Sequence, residues 1–289
     1  MYAIKRKATC VVASLAFVFG LAVSGVRAQS AMDAGGTAGG GMPTVDQILK
    51  NYVESIGGLY ILERLSSRTA SGTVTDSRGN EYPFELLAKY ALTPSNGFRI
   101  TRTTPVQRYV AVSFPNGESV STYTSDTGWL LDAGGEPRDM TNAELDGVRL
   151  EDPFYFCMRM KQIFLDLKVE EKTEKIGDSE AYVIAGHTKN LPYAKLYFDI
   201  ESGLIVRVVY SESADGQNPT QVDFEDYQNP DAAFKGGRHR IPYRWTITKS
   251  NGSRYTYQLT KVLQNIPLDE RKFRKASVTA NSGEKPATP

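Results

Sequence analysis

The sequence predicts a mainly β domain with helices: a half-open, strongly curved antiparallel β-barrel of about 11 strands, covered by an N-terminal helix and a central helical insertion. Three observations support this fold class. Short segments with alternating polar and apolar residues fill most of the chain. Tight-turn sequences separate these segments, and helical periodicity is confined to two places. A sheet with so many strands curls because strands twist.

The N-terminal helix is predicted to begin after Thr44. Thr44 and Gln47 have the spacing of a capping box. Gly57 and Gly58 end the helical pattern. One apolar stripe lies between these signals, made of Val45, Ile48, Leu49, Tyr52, Val53 and Ile56.

The strands are predicted to follow one another as a meander from residue 66 to about 133, and again after residue 168. Glycine or asparagine punctuates the first group, as hairpin turns require. The turn sequences are Arg78-Gly79-Asn80, Ser95-Asn96-Gly97, Pro115-Asn116-Gly117 and Asp126-Thr127-Gly128. Strands and helices do not alternate along the sequence, so nothing in the pattern indicates a parallel sheet.

Residues 194–210 predict a hairpin around the turn at 199–203. Leu196 and Phe198 share one face of its first strand, and Tyr197 lies on the other. The second strand carries apolar residues on both faces, which is unusual for a sheet with one solvated side. We therefore expect something to cover both faces of this hairpin.

The central insertion is predicted to contain a weak helix at 140–150 and a stronger helix at 153–167. Asp152 is the expected N-cap of the stronger helix, and Pro153 suits its first position. Apolar residues cover too wide an arc for a helix with one buried side. This helix is thus expected to contact protein or ligand on two sides, across the mouth of the curved sheet.

Large apolar side chains are expected to face inward from two neighbouring strands, at 241–247 and 255–259. Together with the hairpin and the central helix they predict an apolar, ligand-binding cavity. An alternative is that the same side chains pack a dry core, and the sequence leaves both readings open. The predicted cavity residues are Tyr243, Trp245, Tyr257, Leu196, Phe198, Phe154 and Met158.

The chain ends carry processing and linker signals. Residues 1–28 have the basic start, apolar run and small-residue cleavage site of a signal peptide. Residues 29–43 form a glycine-rich flexible leader, 44–274 a single domain, and 275–289 a disordered tail. Cys10 lies at the start of the apolar run, whereas a lipidated cysteine would follow that run, so Cys10 is not a lipoprotein anchor. We predict an exported, periplasmic protein, with a retained membrane anchor as the alternative.

Catalytic, metal and nucleic-acid signals are weak. The formal charge of +1 gives no reason to expect nucleic acid as a partner. Asp223 and Glu225 share a strand face, but such residues usually form its solvated side. His187 and His239 are expected at the surface, and Cys157 is expected to be an inert buried thiol. We therefore predict no enzyme activity, no metal site and no cofactor, including no covalently bound haem.

Three segments resemble the bacterial outer-membrane lipoprotein-sorting family of LolA/LolB-type carriers and receptors. Related domains in this family accompany multihaem cytochrome subunits. The resemblance runs from about residue 44 to 274 and consists mostly of strand and turn patterns. It is carried by "VDQILKNYVESIGGLYILERLSSRTASGTV", "KLYFDIESGLIVRVVY" and "VDFEDYQ…IPYRWTITKSNGSRYTYQLTKVLQNIPLDERKF".

The resemblance implies a half-open barrel whose helices cover an apolar cavity that holds acyl chains. The expected function is binding of a lipid, a lipoprotein acyl chain or another apolar ligand, in envelope transport or sensing. The alternative is a non-catalytic accessory module that docks onto an envelope membrane protein or a cytochrome-containing redox complex. No acyl-contacting residue of the carriers can be matched to a position in this sequence.

Overall fold

One antiparallel sheet of 14 strands dominates the described part of the chain. The structure is a computed structural model, and it describes residues 41–90, 93–94, 100–101, 105–124, 126–155, 160–230 and 239–275. The predicted signal peptide, most of the leader, Cys157, Met158 and the tail after residue 275 lie outside these ranges.

Sixteen strands and four α-helices are described. The strands are β1 (Ser67–Asp76), β2 (Glu81–Tyr90), β3 (Thr93–Pro94), β4 (Ile100–Thr101), β5 (Pro105–Phe114), β6 (Gly117–Thr124), β7 (Thr127–Leu131), β8 (Arg138–Asp139), β9 (Leu165–Val169), β10 (Glu174–Ile176), β11 (Ser179–His187), β12 (Tyr193–Asp199), β13 (Ile205–Ser211), β14 (Thr220–Gln228), β15 (Ile241–Thr248) and β16 (Arg254–Gln264). The helices are α1 (Val45–Ser55), α2 (Leu59–Leu62), α3 (Asn142–Leu150) and α4 (Met160–Ile163), and a 3₁₀ turn spans Glu270–Phe273.

The sheet is an open meander with the order β10-β11-β12-β13-β14-β15-β16-β1-β2-β5-β6-β7-β8, and β9 also pairs with β11. The predicted antiparallel meander is confirmed, but the count of about 11 strands is wrong. The segment after the central insertion forms two short strands, β9 and β10, instead of one. The two-residue strand β8 is too short for alternation to reveal it.

The sheet bends around the end of the central insertion. Strands β6 and β13 are seven positions apart in the sheet, which would separate them by about 33 Å if the sheet were flat. The hydroxyl of Tyr123 on β6 nevertheless lies 3.4 Å from Asp152. The hydroxyl of Tyr210 on β13 lies 2.5 Å from Glu151, the preceding residue. The adjacent residues Glu151 and Asp152 therefore contact the two halves of the sheet, which we call its arms, one containing β13 and the other β5 and β6.

Both faces of the sheet carry buried apolar clusters. The largest cluster includes Leu86, Leu196 and Trp245 and defines what we call the inner face. Two smaller clusters lie on the opposite face. One contains Trp129 and is covered by Phe273 of the 3₁₀ turn, and the other surrounds Tyr197 of the hairpin. The apolar residues on both faces of the hairpin are thereby explained.

The N-terminal helix is confirmed as α1, with Thr44 and Gln47 forming the expected capping box. Its buried face, which includes Tyr52, packs on the inner face of the sheet. The helix also contacts the 199–203 turn, since the Ser55 hydroxyl donates a hydrogen bond to the Ser202 carbonyl at 2.6 Å. Gly203 adopts φ +69° in that turn. A Cβ there would lie 2.6 Å from the Ser55 Oγ, so glycine permits the approach of α1.

The predicted helix at 153–167 is wrong. Only the four-residue α4 is helical among its described residues, and β9 begins at Leu165. Part of the over-wide apolar arc arose because a helical period was applied to Leu165 and Leu167, which lie in a strand. Asp152 still accepts a hydrogen bond from the Phe154 backbone N–H at 2.9 Å, but this bond closes a turn. The segment 140–150, predicted as the weaker helix, forms the longer one, α3, because Thr141 and Glu144 make a full capping box.

Candidate functional site

Trp245 lies at the centre of an aromatic group on the inner face. Its ring stacks on that of Tyr257, with centroids 4.8 Å apart and an interplanar angle of 5°. Phe84 meets both rings edge-on, at 5.9 Å from Trp245 and 5.3 Å from Tyr257. Trp245 is only 1% exposed. In this conformation its indole is therefore in contact with protein rings.

The hairpin residues Leu196 and Phe198 face the same cluster, as predicted. The Phe198 ring meets the Tyr52 ring of α1 edge-on, with centroids 5.6 Å apart. Tyr52 is thus the side chain through which α1 covers this end of the inner face.

A buried arginine lies beneath the helices, where the sequence had suggested only apolar groups. Arg68 is 1% exposed. Its guanidinium lies over the Phe154 ring, 4.2 Å from the centroid, which is a cation–π geometry. One Nη donates to the Tyr90 hydroxyl at 3.1 Å, and the other lies 3.3 Å from Nε2 of His239. The Nε is buried and has no hydrogen-bond partner within the described part of the chain.

The prediction that His239 is a surface residue is wrong, because its ring is buried beside Arg68. Burial and the neighbouring guanidinium charge lower the pKa of His239 to about 3. The imidazole is therefore neutral near pH 7 and can accept the hydrogen bond from Arg68. His187 is partly buried, and its Nε2 lies 3.2 Å from an Asp166 carboxylate oxygen.

A small cavity of about 20 Å³ adjoins this group. It is lined by Arg68, His239, Phe154 and Tyr52, together with Tyr227, Arg240 and apolar residues at the ends of α1 and α2 and on β15. A space of this size holds about one water molecule. The cavity places the guanidinium, the imidazole and two aromatic rings around one point of the inner face.

A much larger apolar groove of about 570 Å³ opens between α1 and α4. Its apolar lining comes from Leu49, Tyr52, Val53, Leu59 and Met160. Lysine and acidic side chains of the same helices stand at its sides. Tyr52 lines both the groove and the small cavity. One aromatic ring is thus shared between the outer groove and the interior of the sheet.

Charged residues at the end of α3 hold the inner face together. The Arg108 Nε lies 3.1 Å from Asp152 Oδ2, an ion-pair distance at which the N–H is not aimed for a hydrogen bond. Burial raises the pKa of the Asp152 carboxyl, although the Arg108 and Arg68 charges act to lower it. Glu151 pairs with Lys249 as well as with Tyr210.

The structure brings six of the seven predicted cavity residues into or against one cluster. Phe154, Leu196, Phe198 and Trp245 are buried members, and Tyr243 and Tyr257 are partly buried beside them. Met158 lies outside the described residues. The grouping agrees with the inward orientation that the sequence predicted, while contact of these residues with a ligand stays a prediction.

Sequence reasoning missed the two buried arginines. Arg108 is in phase with Val110 and Val112 along β5, and Arg68 is in phase with Ala70 along β1. A cation in phase with apolar neighbours on a strand is a signal for an inward-facing charge. By contrast, Asp223 and Glu225 pair with Arg207 and Arg244 on neighbouring strands, which fits the structural role expected for them.

Of the helices in the described ranges, none combines the length and the hydropathy needed to span a bilayer.

The fold is similar to that of solved lipoprotein-sorting proteins. A LolA superfamily protein from Nitrosomonas europaea matches with a TM-score of 0.50 at 13% identity, over 81% of this chain and 99% of that one. A putative outer membrane lipoprotein-sorting protein domain from Vibrio parahaemolyticus matches with a TM-score of 0.48 at 11% identity, over 78% of this chain and 97% of that one. No protein-family model and no curated protein matches the sequence. The likeness to the first structure shows that this chain has the LolA-type fold, so the resemblance predicted from its strand and turn patterns is confirmed at the level of fold.

Proposed function

We propose that this protein is an exported, periplasmic binding protein that holds a lipid, a lipoprotein acyl chain or another apolar ligand. It binds its ligand against the inner face of a curved half-barrel and carries out no catalysis. Its role is transport or sensing of lipids or lipoproteins in the cell envelope. The LolA-type fold supports this proposal, because a carrier needs an open sheet with an apolar face that helices cover.

The observation that carries the proposal is the apolar groove between α1 and α4. Its volume of about 570 Å³ is within the range of small-molecule pockets. Leu59 in its wall is 54% exposed, and an exposed leucine beside other apolar residues is a surface that a ligand would cover. Tyr52 connects this surface to the inner cluster, so a small movement of one ring would join the groove to the interior.

The short helices make such a movement accessible. Helix α2 and helix α4 each have four residues, and a helix of that length has little stability of its own. The sheet beneath is held by continuous antiparallel pairing. A ligand would therefore displace the helical cover more readily than the strands.

A pair of leucine variants tests the groove. Leu59→Asp places a carboxylate in the apolar wall, while Leu263→Asp makes the same change on β16, at a leucine that is 41% exposed. Both sites are exposed, so both variants are expected to fold. A fluorescent fatty-acyl probe should bind the wild type and Leu263→Asp equally, and should bind Leu59→Asp at least tenfold more weakly.

Equal probe affinity of the two variants would contradict binding at the groove. Absence of probe binding to the wild type would contradict the acyl-carrier function and would favour the alternative of an accessory module.

A further inference from the structure

We propose that Arg68 is an anion site for the carboxylate of a free fatty acid, so that the protein prefers fatty acids to esterified acyl chains. This inference rests on the proposed function and names the ligand class more narrowly. The acyl chain would occupy the groove between α1 and α4 or the space beneath it, with its carboxylate at the small cavity beside Arg68.

Arg68 is a buried cation without a direct carboxylate partner among the described residues. Burying an ionised group is costly unless an opposite charge or hydrogen bonds stabilise it. Among the described residues, no carboxylate lies within 4.0 Å of its guanidinium. Its described partners are a tyrosine hydroxyl, a neutral imidazole and an aromatic face. These groups solvate the cation but do not neutralise it.

The charges around Arg68 are not balanced. The Arg68 charge acts on the buried Asp152 carboxylate, whose direct ion-pair partner is Arg108. Glu151 is occupied by Lys249 and the Tyr210 hydroxyl. His239 adds no negative charge because it is neutral near pH 7. Counted over the buried Arg68, Arg108 and Asp152, one positive charge remains on this part of the inner face, and Arg240 also lines the cavity.

The geometry of Arg68 suits an anion. Its buried Nε has no hydrogen-bond partner among the described residues, and Arg68 lines the small cavity. A carboxylate is the ligand that matches the donor fork of a guanidinium. Tyr52 and Phe154 line the same cavity, so an apolar chain attached to the carboxylate would meet aromatic surface at once. The cavity of about 20 Å³ must widen to admit the head group, and the shared Tyr52 ring is the side chain whose movement would open it toward the groove.

The experiment compares cis-parinaric acid with its methyl ester at about pH 8, where the carboxyl is ionised. The two probes share one chain and differ only in the charge of the head group. The wild type is expected to bind the acid at least tenfold more tightly than the ester. Arg68→Met, which keeps most of the apolar stem of the side chain and removes its charge, should bind the two equally, because its affinity for the acid falls to that for the ester. Arg244→Met removes a half-exposed arginine and should keep the preference for the acid.

Equal affinity of the wild type for acid and ester would overturn the inference while leaving the acyl-carrier function intact. Persistence of the preference in Arg68→Met would overturn it too. Failure of both probes to bind the wild type would overturn the proposed function itself. Thermal melting checks that Arg68→Met folds; if it does not, Arg68→Lys serves instead, and it should keep a reduced preference because it retains the charge without the fork.

Discussion

Glu151 and Asp152 are consecutive in the chain, yet their carboxylates contact opposite arms of the sheet. Glu151 accepts a hydrogen bond from Tyr210 on β13, and Asp152 lies against Arg108 on β5. The end of the central insertion thus ties the two arms across the inner face. Curvature is maintained by these side chains as well as by strand twist.

Removal of the Asp152 carboxylate should be strongly destabilising. Asp152→Ala leaves the Arg108 guanidinium buried without its partner, and breaking one side of a buried ion pair costs about 3–5 kcal/mol. The free energy of unfolding from urea titration checks this. The double variant Arg108→Met/Asp152→Leu should recover part of the loss, because it removes the unpaired charge.

The control for that experiment is Glu225→Ala, which breaks an exposed pair with Arg244. It should cost less than about 1 kcal/mol, as exposed ion pairs do. A loss for Asp152→Ala no greater than that of the control would show that the tie across the inner face does not stabilise the fold.

Trp245→Ala should chiefly reduce stability. The indole is buried and contacts the Tyr257 and Phe84 rings, and truncation of such a residue costs about 3–5 kcal/mol. The denaturant midpoint and acyl-probe affinity are measured on the same variant. A lower affinity at probe concentrations where the variant is folded would show in addition that Trp245 lines the ligand site. An unchanged midpoint would contradict the burial described above.

His239 should make stability depend on pH. Its pKa is about 3 in the folded protein and about 6.5 in the unfolded chain. Between these pH values, the imidazole is therefore protonated in the unfolded chain and neutral in the folded protein. The contribution of neutral His239 is present above about pH 6.5 and is lost as the pH falls toward 3.

The variant His239→Gln removes the titrating imidazole and keeps a polar side chain at this position. As the pH falls from about 6 to about 4, the free energy of unfolding should fall more steeply for the wild type than for the variant. The difference in slope should be about 1.4 kcal/mol per pH unit for one proton. Urea titrations at several pH values measure both slopes. Parallel slopes would mean that the imidazole titrates normally and is not buried beside Arg68.

Two glycine variants isolate the contact between α1 and the 199–203 turn. Gly203 and Gly252 both have positive φ, at +69° and +82°, so alanine strains both backbones alike. Only at Gly203 does the new Cβ meet a neighbour, the Ser55 Oγ at 2.6 Å, whereas nothing lies within 4 Å at Gly252. Gly203→Ala should therefore be the more destabilising of the two in urea titrations. Equal losses would show that α1 does not pack closely against this turn.

The sequence predicted those parts of the fold whose signals are local. The capping box at Thr44 and the hairpin at 194–210 depend on neighbouring residues, and both were predicted correctly. The helix at 153–167 failed because Leu167 lies four residues after Ile163, as on one face of a helix, and two after Leu165, as on one face of a strand. Pairing of β9 with β11 decides between them, and that pairing depends on residues distant in the sequence.

Only the apolar residues of the candidate site were predicted from the sequence, and the buried Arg68 and His239 were not. Large apolar residues at every second position of β15 indicated the inner face directly. Arg68 escaped notice because an arginine in a strand is usually assigned to solvent. Its burial depends on Phe154 and His239, which arrive from separate segments far along the chain.

Native mass spectrometry of the protein purified from an exporting host tests the central claim most directly. We expect the mature protein to carry a lipid or fatty acid, which organic extraction removes and an added fatty-acyl ligand replaces at one equivalent per chain. A protein that leaves the host without a bound apolar molecule, and takes up none when acyl ligand is added, would contradict the claim that its inner face and groove form an acyl-binding site.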